Sequence, residues 1–237
     1  MIDVHAHVLP GVDDGSRSMD ESIRMLKILA EQGFTGIIAT PHGSRRTKEK
    51  EEPLLVLTEK LQDKIHETYP EFSIYLGQEQ WYHQELTEQL RQGTAYTMAG
   101  TLYVLVEFSP GAPYSTLFQG IRNLTGAGYM PILAHVERYA CLNGEERIRE
   151  MISCGCVIQM NYDSLKGRWY QSETRRCRKL VEDGLVHLLG TDMHRMDFRP
   201  PQTEDAVRWL SNHVSSSYQE LLTTVNPTRI IQGERIL

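Results

Sequence analysis

Two hydrophobic periods alternate along the chain. Short β-branched or apolar runs begin at Ile2 (IDVHAH), Gly36 (GIIAT), Ser73 (SIYLGQE), Tyr103 (YVLVEF), Pro131 (PILAH), Cys156 (CVIQMN) and Val186 (VHLLGTD). Their starts lie 25 to 37 residues apart, the length of a strand plus a returning helix. The intervals carry the helical period. In SMDESIRMLKILAEQGF, Ser18 and Glu21 read as a capping box and Gly33 as the stop, with Ile23, Leu26, Ile28, Leu29 and Ala30 supplying an apolar face. SETRRCRKLVEDG repeats the scheme, with Ser172 as cap, Cys177, Leu180 and Val181 inward, and Gly184 as stop. Further helices are expected over 51–69, 113–128, 144–154 and 201–226.

Strand–helix repetition predicts an α/β fold with a parallel sheet, doubly wound or closed on itself. No Gly-rich phosphate fingerprint follows the first strand, which weakens the dinucleotide-binding alternative. The expectation is a distorted TIM-like barrel of seven parallel strands with surrounding helices, in one domain over 1–237. TRIIQ near the end is a poor eighth strand. GSRRTKEKEE (43–52) reads as a mobile loop, where Arg45, Arg46, Lys48 and Lys50 either steer an anionic substrate or are merely solvated.

Composition narrows the setting. With 25 Lys+Arg against 31 Asp+Glu, the formal charge of −6 offers no bulk attraction to nucleic acid. Membrane insertion is not expected, because no apolar stretch approaches the ~20 residues a bilayer requires. The start MIDVHAHVLP lacks the marks of a signal peptide, and four Cys without a regular framework suit a reducing, cytoplasmic compartment.

The chemistry sits at the strand ends. His5 and His7 end the first strand, and Asp14 follows in the next loop. His42, Glu79, Glu107 and His135 end the second to fifth, and Asp192 and His194 end the seventh. In a parallel barrel those ends converge on the face where active sites are built. The HxH and DxH spacings put both side chains of each pair on one side of the strand. A lone strand-end His is usually structural; the joint pattern points to metal. Five imidazoles and four carboxylates without thiolate suit manganese, iron or zinc. Nine donors exceed a single site. Four carboxylates carry −4, which two divalent ions cancel and three exceed, so a three-ion site suits an anionic phosphate better. Arg138 and Arg199 lie beside these residues, and guanidinium is suited to bidentate phosphate recognition. Asp3 reads as a supporting residue, and His66, His83, His187 and His213 as surface or packing residues.

The motifs IDVHAHVLPGVDDG, ATPH, YLGQE, LVEF, AHVERY and GTDMH followed by RPP resemble those of the polymerase-and-histidinol-phosphatase (PHP) superfamily. More narrowly, they are similar to the manganese-dependent protein-tyrosine phosphatases of bacterial capsule and exopolysaccharide operons. VDDG, HVERY and RPP belong to that subgroup. The resemblance implies a distorted barrel holding up to three metals on the same nine residues, with Arg138 and Arg199 contacting phosphate. It also implies a phosphotyrosyl protein substrate, the Tyr-rich tail of a tyrosine kinase controlling polysaccharide export. That tail would rest on SPGAPYS and YDSLKGRWYQ, with Tyr114, Trp169 and Tyr170 as candidate contacts. Gln78, Gln80 and Trp81 around Glu79, and Gly43 after His42, depart from the family pattern without touching a ligand position.

Two alternatives stay open: a PHP phosphatase for a small phosphate monoester such as histidinol phosphate, and a non-catalytic metal-binding PHP module. A third route is a decoy. Cys141 and Arg147 have the Cys-x5-Arg spacing of thiolate phosphatases, but Glu145 and Glu146 between them would repel a phosphate dianion.

Overall fold

A computed structural model describes residues 1–43, 53–168 and 170–237. The loop cations Arg45, Arg46, Lys48 and Lys50, and Trp169, lie outside the described residues. The strands are β1 (Ile2–Ala6), β2 (Gly36–Ala39), β3 (Ser73–Leu76), β4 (Glu79–Trp81), β5 (Tyr103–Glu107), β6 (Met130–Leu133), β7 (Val157–Asn161) and β8 (Leu188–Gly190). Every pairing is parallel, in two sheets ordered β1-β2-β3 and β4-β5-β6-β7-β8.

The expected count of seven is therefore corrected to eight among the described residues. The extra strand comes from splitting SIYLGQE in two, and TRIIQ is helical. The break falls at Gly77, where a Cβ would sit 2.9 Å from both Ile38 Cγ2 and Met98 Sδ. The chain bends there while Gly77 N–H still donates to Ala39 O (2.8 Å). Both seams between the sheets are stitched by backbone. His7 N–H donates to Met193 O (2.9 Å) and Asp192 N–H to His5 O (2.8 Å), while Gly43 N–H donates to Glu79 O (2.8 Å).

Helices α1 (Met19–Glu31), α2 (Leu54–His66), α4 (Tyr114–Gly126), α5 (Glu145–Ser153) and α6 (Ser172–Glu182) occupy the expected intervals. The Ser18 side chain caps α1 at Glu21 N–H. Ser172 does not cap α6: it is the first helical residue, and Gln171 stands at the cap without a side-chain bond. A short α3 (Leu86–Gln92) was not expected. The single helix expected over 201–226 is broken into α7 (Glu204–His213), α8 (Ser216–Glu220), one π-helical turn (Leu221–Val225) and α9 (Asn226–Gln232). Extended Val214 ends α7, and Ser215 caps α8 at Tyr218 N–H. Pro227 has no N–H to offer Thr223 O, so the winding widens there.

Strand and helix apolar faces meet in the larger core, where Met25, Leu61, Ile121 and Leu210 pack towards Ala6, Ile37, Val106 and Leu189. A smaller core of Val4, Ile38, Leu105, Ile132 and Leu188 is shared by both sheets and joined by Ile230 of α9. Parallel strands buried on both faces explain the near-continuous apolar runs. No helix of the described residues is long and apolar enough to cross a membrane.

Candidate metal centre

All nine strand-end candidates come together at the C-terminal ends of the strands. They form three groups whose ligand atoms lie within 4.8 Å of one another: His7, Asp14, His42 and His194; His5, His7 and Asp192; and His42, Glu79 and Glu107. His135 joins through its Nε2, 2.8 Å from Glu79 Oε1 and 3.8 Å from Glu107 Oε2. Glu79 is central, also lying 3.5 Å from His5 Nε2, 3.4 Å from His7 Nε2 and 2.9 Å from His42 Nδ1. Eight of the nine are buried; only the Asp14 side chain is exposed, at 63%, on the open side of the cage.

Proton positions test whether this set fits a cation. His7 Nδ1 faces Asp13 Oδ2 at 2.8 Å and His5 Nδ1 faces Gln159 Oε1 at 3.3 Å. The Gln159 oxygen is identified by His135 N–H, which donates to it at 2.7 Å. Both Nδ1 atoms are thus donors, and in neutral rings both Nε2 atoms present lone pairs, yet they stand 3.2 Å apart. Two facing lone pairs are reconciled by a cation between them, a proton or a metal ion. His194 follows the same rule: its Nδ1–H donates to Asp192 O (2.8 Å), leaving Nε2 towards Asp14. Free Nε2 atoms beside carboxylates, with no Cys among them, are a donor set for a borderline divalent ion.

The electrostatics agree. Burial alone would raise the Glu79 carboxyl, but His5, His135 and His42 hold it well below the usual range. Burial would lower His42, but Glu107 and Glu79 bring it up to about 9. Such pairing is what a carboxylate–imidazole cage adopts when its own groups must balance charge.

Arg138 and Arg199 converge on one carboxylate. Arg138 Nη2 and Arg199 Nη1 both donate to Asp192 Oδ2, the latter at 3.0 Å. His135, Asp192 and Arg199 all have positive φ (35°, 51° and 53°), and with Ala99 they are the non-glycine residues in that region among those described. Backbone strain of this kind gathers at functional sites.

The sequence pattern did not single out three supporting residues. Asp13 accepts from His7 Nδ1, His42 N–H (2.9 Å) and Gly15 N–H (2.9 Å). Gln159 and Asn161 of β7 continue the network: Gln159 Nε2 donates to Asn161 Oδ1 (3.0 Å) and Asn161 Nδ2 to Asp192 Oδ2 (3.0 Å). The i, i+2 spacing in CVIQMN was the available signal. Asp3 supports β1 as expected, accepting from His5 N–H, Thr191 N–H and Thr191 Oγ1, and burial pushes its carboxyl up to about 6. VDDG now has a physical content. Asp13 orients His7, Asp14 faces the cage, and a Cβ on Gly15 would lie 2.2 Å from His7 O.

The other histidines stay outside. His66, His187 and His213 bond to backbone and His83 to Glu85. Tyr114 is engaged by Glu150 and stacked under Arg147. Arg147 donates to Cys141 O, and burial raises the Cys141 thiol, the opposite of what a nucleophile needs.

The family model for capsular polysaccharide synthesis, CpsB/CapC, matches residues 1–232. The chain belongs to the CpsB/CapC family. It is 33% identical to tyrosine-protein phosphatase CpsB of Streptococcus pneumoniae over the whole of both chains. It is 29% identical to tyrosine-protein phosphatase YwqE of Bacillus subtilis, over 94% of this chain and 89% of that one. Crystal structures of YwqE and CpsB, described as unique metal-dependent tyrosine phosphatases, include a match with TM-score 0.88 at 27% identity, covering 100% of this chain and 96% of that one. The phosphotriesterase of Mycobacterium tuberculosis shares the fold at 12% identity (TM-score 0.64, 98% and 93% covered).

Proposed function

We propose that this CpsB/CapC protein is a manganese-dependent phosphatase acting on phosphotyrosine in proteins. Its partner would be the tail of a tyrosine kinase controlling capsule or exopolysaccharide synthesis, met in the cytoplasm. The supporting observation is the joint one: three groups of imidazole and carboxylate donors, with two guanidinium groups on the Asp192 carboxylate of one of them. In this reading the two sheets close as a distorted barrel in one domain over 1–237. His5, His7, Asp14, His42, Glu79, Glu107, His135, Asp192 and His194 hold two to three ions.

When bound, divalent ions supply activation of water and neutralisation of phosphate oxygens. The chain's own groups do the rest. Asp13, Gln159 and the Asp192 carbonyl fix three imidazole tautomers, so that Nε2 faces the cage. Arg138 and Arg199 leave Asp192 for the phosphoryl oxygens and stabilise the charge that grows on them. A tyrosine leaving group, with pKa about 10, asks for little protonation.

The test is metal analysis joined to hydrolysis of a phosphotyrosyl peptide and of histidinol phosphate, before and after chelation. Activity on the peptide should vanish on chelation and return best with manganese. Full activity in metal-stripped protein would sink the mechanism, and preference for histidinol phosphate would replace the substrate.

A further inference from the structure

Phe198 stands out as an exposed aromatic at the rim of the cage. The residue is 44% exposed. It lies edge-on to His194 (centroids 5.9 Å apart, planes at 86°), with the Arg199 guanidinium carbon 5.0 Å and the Arg195 carbon 5.4 Å from the ring centre. One neighbour is a candidate metal ligand and another a candidate phosphate contact. A ring so placed, and still 44% exposed, stands beside the proposed phosphate contact.

Its setting is rigid. Arg195 and Phe198 pair across a tight hairpin, Arg195 N–H to Phe198 O (2.9 Å) and Phe198 N–H to Arg195 O (3.2 Å), and His194 N–H donates to Arg199 O (3.1 Å). The tip is tied down from outside. Met196 N–H donates to Glu21 Oε1 (3.2 Å), and Asp197 pairs with Arg17 (3.0 Å) and Arg195 (3.3 Å). The loop thus presents a half-exposed apolar ring at low ordering cost, with the Arg195 and Arg199 guanidinium groups and the His194 ring as its own contacts.

We propose that Phe198 is the platform for the aryl group of the substrate, and so sets a preference for aryl over alkyl phosphate esters. This rests on the phosphotyrosine reading above. An aryl ring bonded directly through oxygen to a phosphate at Arg199 reaches Phe198, where offset or edge-on packing is available. A methyl or ethyl ester has no comparable surface to place there. Aromatic pairing of this kind is worth about 2- to 10-fold in affinity.

The experiment compares phenyl phosphate with ethyl phosphate, and the non-hydrolysable phenylphosphonate with methylphosphonate, on the manganese-loaded full chain. Phe198→Ala should lower kcat/KM for the phenyl ester and affinity for phenylphosphonate by about 2- to 10-fold. The ethyl ester, methylphosphonate affinity, Tm and bound metal should stay at wild-type values, and Phe198→Tyr should keep the aryl preference. Equal loss on aryl and alkyl ligands would overturn the proposal by making the ring a mere prop for Arg199; so would no loss on either. The two readings fail separately. A wild type that cleaves ethyl phosphate but not phosphotyrosine refutes the phosphotyrosine assignment, whereas equal affinity of wild type for the two phosphonates refutes the platform.

Discussion

Asp13→Ala should be the most informative change outside the proposed ligands, because it removes no donor to a metal and yet, through His7 and His42, touches all three groups. The Asp13 carboxylate accepts from His7 Nδ1 at 2.8 Å, His42 N–H at 2.9 Å and Gly15 N–H at 2.9 Å, and these bonds keep it well below the usual carboxylate range. Without it, His7 is free to take the other tautomer or to turn, and two buried backbone N–H groups, of His42 and Gly15, are left without their acceptor. Loss of such an orienting carboxylate costs about 10- to 100-fold in metal affinity, that is ~1.4–2.7 kcal/mol. Asp13→Asn should fall nearer the lower figure. Its amide oxygen still serves His7 and His42, but the NH2 group then meets Gly15 N–H, donor against donor. The assay is calorimetric titration of metal-stripped protein with manganese, with Tm recorded on the same samples. If Asp13→Ala binds manganese as wild type does, the tautomer argument is wrong and the imidazoles are oriented by packing alone.

Glu137 accepts from Asn161 N–H (3.1 Å) and Ser164 Oγ (2.7 Å), so it braces the turn that carries Arg138. Glu137→Ala should lower kcat/KM about 10-fold through one or two lost bonds, and the double variant with Arg138→Ala should be no worse than Arg138→Ala alone; additive losses would show that Glu137 acts elsewhere. His187 Nδ1 accepts from Ile158 N–H (2.9 Å), and burial depresses its pKa to about 4. The folded ring stays neutral while the unfolded one takes a proton near 6.5, so stability falls as pH drops from about 6.5 to 4, by up to ~3 kcal/mol. His187→Asn should flatten that part of the Tm–pH curve, and an unchanged curve would exonerate His187. Cys141→Ser should keep near-normal turnover; a dead enzyme with normal Tm and metal content would revive the thiolate route.

The strand ends were legible because one period runs through the chain, and because side chains alternate along a strand. A ligand pattern such as His5-x-His7 or Asp192-x-His194 announces itself once its register is known. What stayed hidden depends on contacts between distant segments. The split at Gly77 arises from Ile38 and Met98 closing around it. The support from β7 is equally long-range: Gln159 and Asn161 are unremarkable amides until β1, β6 and β8 bring His5, His135 and Asp192 against them. The broken C-terminal helix had local causes, extended Val214 with the Ser215 cap after it and then Pro227, yet a polar-apolar pattern continuous over 201–226 suggested one helix. Asp13 was hidden by its neighbour: in VDDG two adjacent carboxylates look alike, and only burial separates the orienting one from the exposed one.

The same network bears on why this end of the fold holds its shape. Positive φ at His135, Asp192 and Arg199 costs about 1–3 kcal/mol at each position, and Glu79 and Asp192 are carboxylates taken out of water. Each strained residue is held by a hydrogen bond to its backbone, that of Asp192 reaching across the seam between the sheets. Gln159 holds the backbone of His135, His5 O receives Asp192 N–H, and Arg199 O receives His194 N–H. His135 and Asp192 are therefore strained residues whose backbone is fixed from another strand. It follows that strain and ligand geometry are coupled: a change that releases Gln159 from His135 N–H should relax that turn and spread the cage together. Gln159→Leu, which keeps volume and removes all three amide bonds, should lower manganese affinity more than it lowers Tm relative to a core substitution such as Ile132→Val. Equal ranking of the two variants on both measurements would mean that the turn is held by packing and the amide contributes nothing to the cage.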